Sequence, residues 1–109
     1  MNSKISEETL TWTEGNVKGF QSKSLIDLNN GTVKLVRVDP QSSYPLHRHP
    51  DKTEYAYVIS GNLQFTIGDD TYDGVPGDFF IFKIRTTHAI SNRTDKSGII
   101  LIGAIKEGD

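Results

Sequence analysis

Three histidines and one glutamate are spaced so that their side chains could meet. His47 and His49 flank Arg48, Glu54 follows the Pro-broken link 50–53, and His88 stands after a second turn-and-strand unit. In an extended chain alternate side chains share a face, so His47 and His49 project together while Arg48 projects away. The link 50–53 lets the chain double back, and Glu54 opens the next apolar run, so a carboxylate can join the imidazoles. Neutral nitrogens with one anionic oxygen suit iron, manganese, zinc, nickel or copper rather than magnesium or calcium. We therefore expect one divalent transition metal per chain on His47, His49, Glu54 and His88, with iron or manganese favoured. An H-x-H pair alone is more often two half-exposed surface residues. The added carboxylate, the turn glycine Gly61 and the later histidine carry the metal reading together.

Strands must position these groups. Residues 17–20 and 24–28 are short strand candidates, and Asn29, Asn30 and Gly31 make a turn before the β-branched run 32–38. A further strand leads into the histidine pair, and others cover 54–60 and 63–67, where Leu63, Phe65 and Ile67 alternate with Gln64 and Thr66. Residues 79–82 and 99–102 are apolar on both faces, so each side of those strands must be covered. Asp51, Asp69, Asp70, Asp73 and Asp78 are expected to be turn acids without chemistry. Ala56 and Val58 share the face of Glu54, and their modest size would leave room for a ligand. No amphipathic helix, solenoid repeat or low-complexity tract is evident. Some ten short strands with regular turns imply an all-β sandwich or barrel.

The same residues carry a family resemblance. The pattern G-x5-H-x-H-x3-4-E-x6-G is the first cupin motif, and His47, His49, Glu54 and Gly61 fall at its spacings, with Gln41 or a neighbour at the leading glycine. The second motif, G-x5-P-x-G-x2-H-x3-N, is similar to Gly77, Lys83, Arg85, His88 and Asn92, with Lys83 and Arg85 in place of proline and glycine. The resemblance implies a double-stranded β-helix, or jelly-roll barrel, with the metal inside. It spans residues 32–105 of a single domain 1–109, leaving 1–31 as an N-terminal arm and edge strands. Residues 12–25 and 32–38 resemble small cupins related to the ChrR-type sensor domain and to dioxygenases that cleave diketones or hydroxyacetophenones.

Composition bounds the function. A chain of 109 residues can bury one core, and a formal charge of −2 without any basic run disfavours nucleic acid and anionic membranes as partners. There is no cysteine, which removes disulfide, thiolate-metal and thiol-nucleophile chemistry. With neither a signal-peptide-like start nor a membrane-length apolar run, the expected compartment is the cytoplasm. Tyr44, Lys83 and Arg85 are candidate contributors to the site, although charged residues in a turn are usually just solvated and Tyr55 and Tyr57 face away from Glu54. Fold alone does not decide activity. A metal-dependent oxygenase of small carbonyl or phenolic compounds comes first. A noncatalytic small-molecule binding or sensing domain is second, and a sugar isomerase or epimerase third. The opposed apolar sets on 79–82 and 99–105 lead us to expect a homodimer through one outer sheet face, with Leu10 and Trp12 of the arm as alternative cover.

Overall fold

Ten strands form two antiparallel sheets in the computed structural model, which describes residues 3–107. They are β1 Thr13–Glu14, β2 Phe20–Leu28, β3 Gly31–Val38, β4 Ser42–His47, β5 Lys52–Ser60, β6 Leu63–Ile67, β7 Asp70–Gly74, β8 Phe79–Phe82, β9 His88–Asn92 and β10 Gly98–Lys106. One sheet has the order β1-β2-β3-β10-β5-β8 and the other β4-β9-β6-β7, the jelly-roll arrangement expected of a double-stranded β-helix. Among the described residues the only helical element is a 3-10 turn, Glu7–Thr9. No helix is long and apolar enough to cross a membrane.

Alternation sorts the side chains. Glu54, Ala56 and Val58 of β5 are paired in register with Ala104, Ile102 and Ile100 of β10, so all six share one face. That face meets Leu63 and Phe65 of β6 and Ile90 of β9 in a common core, where the Phe65 and Phe80 rings stack at 4.1 Å. Ala56 and Val58 are wholly buried in this core and do not line the cavity described below. The opposite face of β5, β8 and β10 carries Tyr57, Ile59, Phe79, Ile81 and Ile105, all exposed. The arm does not cover it. Trp12 lies instead between the Lys23 and Arg37 cations, 4.6 and 4.8 Å from its ring centre, on β2 and β3 of its own chain.

Two expectations change. Residues 17–19 are a turn rather than the start of a strand, because Gly19 takes a φ of 91° and its N–H donates to the Glu14 carboxylate. β2 then runs unbroken from Phe20, absorbing the irregularity at 24–26 as a bulge against β3. Asp70 and Asp73 are not turn residues but belong to the edge strand β7, whose Tyr72 is registered on Phe65 and whose Gly74 lies against the Phe65 ring. Polar residues suit an edge that faces water, which is why alternation is weak there.

The four glycine positions of the two motifs have one physical meaning. Gly61 and Gly77 have φ values of 85° and 99°, and Gln41 and Arg85, standing where glycine is usual, have 58° and 64°. All four are left-handed turns that reverse the chain between strands. Arg85 is exposed, and among the described residues its side chain makes no hydrogen bond, so the strain is uncompensated there. Its backbone N–H donates to the His49 carbonyl at 2.8 Å. Arg85→Gly is expected to stabilise the fold by about 0.5–1 kcal/mol in denaturant titration. Gly61→Ala, whose new Cβ would stand 2.6 Å from the Gly98 Cα, should cost about 2 kcal/mol or more by the same measurement.

Candidate metal centre

The four residues reach the site from three strands. His47 closes β4, His49 lies just past it, Glu54 sits near the start of β5, and His88 begins β9. A one-residue bulge between Tyr44 and His47 shapes the β4 contribution: Tyr44 opposes Ile90, while His47 opposes His88. Without it, residues three apart would point to opposite faces. With it, Tyr44 and His47 both turn inward and Leu46 is left exposed. Proline at 45 is tolerated at a bulge because it has no N–H to give to the ladder.

The ligand-capable atoms of His47, His49, Glu54 and His88 all lie within 4.8 Å of one another. Glu54 Oε1 stands 3.0 Å from His49 Nε2 and 3.1 Å from His88 Nε2. The rings of His47 and His88 are 4.1 Å apart, and Phe82 stacks on His88 at 4.4 Å. His88 is only 2% exposed. Two rings are oriented from behind: Nδ1–H of His47 donates to the Pro45 carbonyl at 2.9 Å, and Nδ1–H of His88 to the Thr86 carbonyl at 3.1 Å. Those bonds leave Nε2 of each as a lone pair aimed inward, the arrangement that supports metal-ligating imidazoles.

The donor set fits a metal. A neutral His88 that donates through Nδ1 has no proton left for Glu54, so a carboxylate oxygen and a nitrogen lone pair would face each other at 3.1 Å. A proton or a cation must lie between them. First-row metals bind nitrogen and oxygen at about 2.0–2.2 Å, so ligands on one ion stand some 3–4.3 Å apart, close to the spacing seen. The cluster could therefore hold a transition metal ion.

These groups line a cavity of about 470 Å³ together with Tyr44, Phe20, Phe82 and Ile90. Tyr44 lies beside the site, its ring 4.8 Å from that of His47. Lys83 and Arg85 are exposed and do not line the cavity. The cations that do are Lys34 and Lys52. Alternation puts Lys52 on the face of Glu54 and Lys34 on that of Val36 and Val38, but only the pairing of β3 with β10 brings Lys34 to the cavity.

The family can be decided on this geometry and one further finding. Residues 34–102 match the family model described as Cupin domain. The chain belongs to the cupins. Among curated proteins this cupin is similar to a "Probable oxalate decarboxylase" of Arthroderma benhamiae, 29% identical over an alignment of 97 residues, with coverage of 84% of this chain and 24% of the relative. It thus spans about a quarter of that relative's length. Among solved structures it is similar to a predicted oxalate decarboxylase from Thermotoga maritima, with a TM-score of 0.88, 19% identity, and coverage of 95% and 99% of the two chains. It is also similar to a sugar phosphate isomerase from Silicibacter pomeroyi, with a TM-score of 0.81, 24% identity, and coverage of 95% and 76%. At these identities the two structures share the fold.

Electrostatics set the pH range of the site. Burial, aided by the neighbouring His88 and His49 and opposed by the Pro45 carbonyl and Glu54, holds the His47 imidazole below its usual 6.5. Burial pushes the Glu54 carboxyl up, but the contact with His88 Nε2, attractive once that ring carries a second proton, and the charge that the neighbouring imidazoles can carry outweigh it, leaving the group below 4.5. Because folded His47 holds its proton less well than the unfolded chain does, its favourable contribution is complete above about 6.5 and is lost as pH falls through the lowered value. Glu54 stays ionised over that range. Affinity for zinc measured by competition with a chelator should accordingly hold from pH 8 to about 6.5 and drop as pH falls through the lowered His47 value, where that imidazole gains its proton.

Proposed function

We propose that this cupin is a metal-dependent enzyme of the dioxygenase type that acts on a small carbonyl or phenolic compound, with one divalent metal held by His47, His49, Glu54 and His88. The observation that carries this reading is the convergence of three imidazoles and one carboxylate on the wall of an open cavity of ligand size. When bound, a metal there supplies Lewis acidity and, if it is iron or manganese, electrons for dioxygen chemistry. The chain's own residues do the rest. Phe82, Ile90 and Ile102 give the cavity apolar walls that limit water, and Tyr44 presents a phenol beside His47 that can hydrogen-bond a substrate oxygen. The carbonyls of Pro45 and Thr86 keep two imidazoles aimed.

A second, redox-neutral reading, decarboxylation or isomerisation, is supported by the names of the relatives above. Oxygen-electrode measurements on iron- or manganese-loaded protein against diketones, catechols and flavonols separate the two. Uptake of dioxygen is expected; turnover with no uptake favours the redox-neutral reading. Metal analysis of the purified protein should give one ion per chain. Glu54→Gln should keep the melting temperature of the metal-free protein within a few degrees yet weaken metal binding tenfold or more, since it removes the one anionic ligand.

We also propose a homodimer. Phe79 and Ile81, 54% and 52% exposed, continue into Tyr57, Ile59 and Ile105 as an uncharged face on three adjacent strands. Such a face complements a second copy of itself, the commonest closed packing. Sedimentation at micromolar concentration should show twice 12.1 kDa; a monomer would reject the pairing.

A further inference from the structure

Two lysines border the open cavity, both exposed to solvent and without an ion-pair partner among the described residues. Lys34 of β3 and Lys52 of β5 both line it. Register locates them relative to the cluster. Lys34 is opposite Ile102, which is opposite Ala56, and Lys52 is the inward-facing residue before Glu54 on the same strand. With strands about 4.8 Å apart and about 3.4 Å per residue, the Lys34 Cα lies about 12 Å from that of Glu54 and the Lys52 Cα about 7 Å. The two lysines thus stand on different strands of the cavity wall.

Neither lysine has a carboxylate within ion-pairing distance among the described residues. The buried and half-buried cations of this sheet behave differently. Lys23 is paired with Glu7 at 2.9 Å, and Arg37 donates to Gln21 and lies near Asp39. Among the described residues Glu54 is the one acid lining the cavity, and it is committed to the imidazoles. Lys52 is moreover registered directly across from Lys106, a like-charge pair that costs stability unless an anion lies nearby. In a chain whose formal charge is −2, this one cavity is cationic, and a divalent metal would make it more so. Among the described residues no helix N-terminus or glycine-rich cradle lines it, so the cavity offers two point charges rather than a phosphate nest.

We infer that the ligand of this cavity is a small carbonyl-bearing carboxylate whose negative charge is held by Lys34 and Lys52. The inference rests on the metal-centred reading above and narrows it from carbonyl or phenolic compounds in general to oxo acids. Lys34 and Lys52 then set specificity through charge, while Tyr44 and the apolar wall set shape.

Calorimetric titration of zinc-loaded, redox-silent protein tests this without any turnover. Acetoacetate, 2-oxobutyrate and 2-oxoglutarate are each compared with their methyl esters and with a phosphate monoester. At least one acid should bind about tenfold or more tightly than its ester, the size expected of a charge-assisted hydrogen bond. Lys34→Gln and Lys52→Gln should each remove most of that preference while leaving ester affinity and zinc content unchanged; Lys96→Gln, on a distant loop, should do neither. Acids that bind no better than their esters, lysine variants that lose acid and ester alike, or tighter binding of the phosphate monoester would each overturn the inference. Failure to take up zinc would reject the metal reading separately. The same titrations on metal-free protein then decide the lysines' role: a lysine-dependent preference for acids supports it and equal binding overturns it.

Discussion

A single carboxylate oxygen placed 3.0–3.1 Å from two imidazole nitrogens is the constraint on which the rest of this structure turns. That arrangement is unfavourable where the carboxylate faces the His88 lone pair and favourable once a positive charge lies between them. Holding it requires strands that are rigid relative to one another. Glu54 is therefore on β5, flanked in the sheet by β8 and β10, and His88 is pinned by a ring stack with Phe82, the residue registered beside Glu54. The core that supports these strands lies at one end of the barrel, leaving the other end free to be hollow.

Much of the site was legible because it obeys short-range rules. The faces of His47, His49, Glu54, Phe82 and Ile102 follow from alternation along extended chain, and the residue types dictate what they can bind. Most of the strands were legible for the same reason. What escaped was set by departures from regularity or by pairing across the sheet. The bulge that brings Tyr44 inward depends on β9, not on the residues around Tyr44. Lys34 becomes part of the cavity only because β3 runs beside β10, a neighbour far along the chain. Lys83 and Arg85 looked like the mouth's cations because they stand next to a ligand in sequence, which is a poor guide to distance in a barrel. β7 was missed because an edge strand with acids on it has the composition of a turn.

The N-terminal arm shows how charge can be used without a site. Trp12 inserts between Lys23 and Arg37, and Lys23 is buried there with Glu7 as its partner. Burying a lysine is costly unless its charge is met, and here an aromatic face and a carboxylate meet it together. The arm is thereby attached to β2 and β3, and the turn that follows it, residues 15–17, forms part of the cavity's rim.

The left-handed turns at Gln41, Gly61, Gly77 and Arg85 bear on how proteins of this kind are found at all. A comparison written in letters counts Gln41 and Arg85 as two mismatches in motifs otherwise well matched. A comparison written in torsion angles counts none, since all four φ values fall between 58° and 99°. What the motifs encode at these positions is a reversal of chain direction, with glycine as its least strained spelling. Chains that spell it otherwise will be under-counted by any search that reads residues alone.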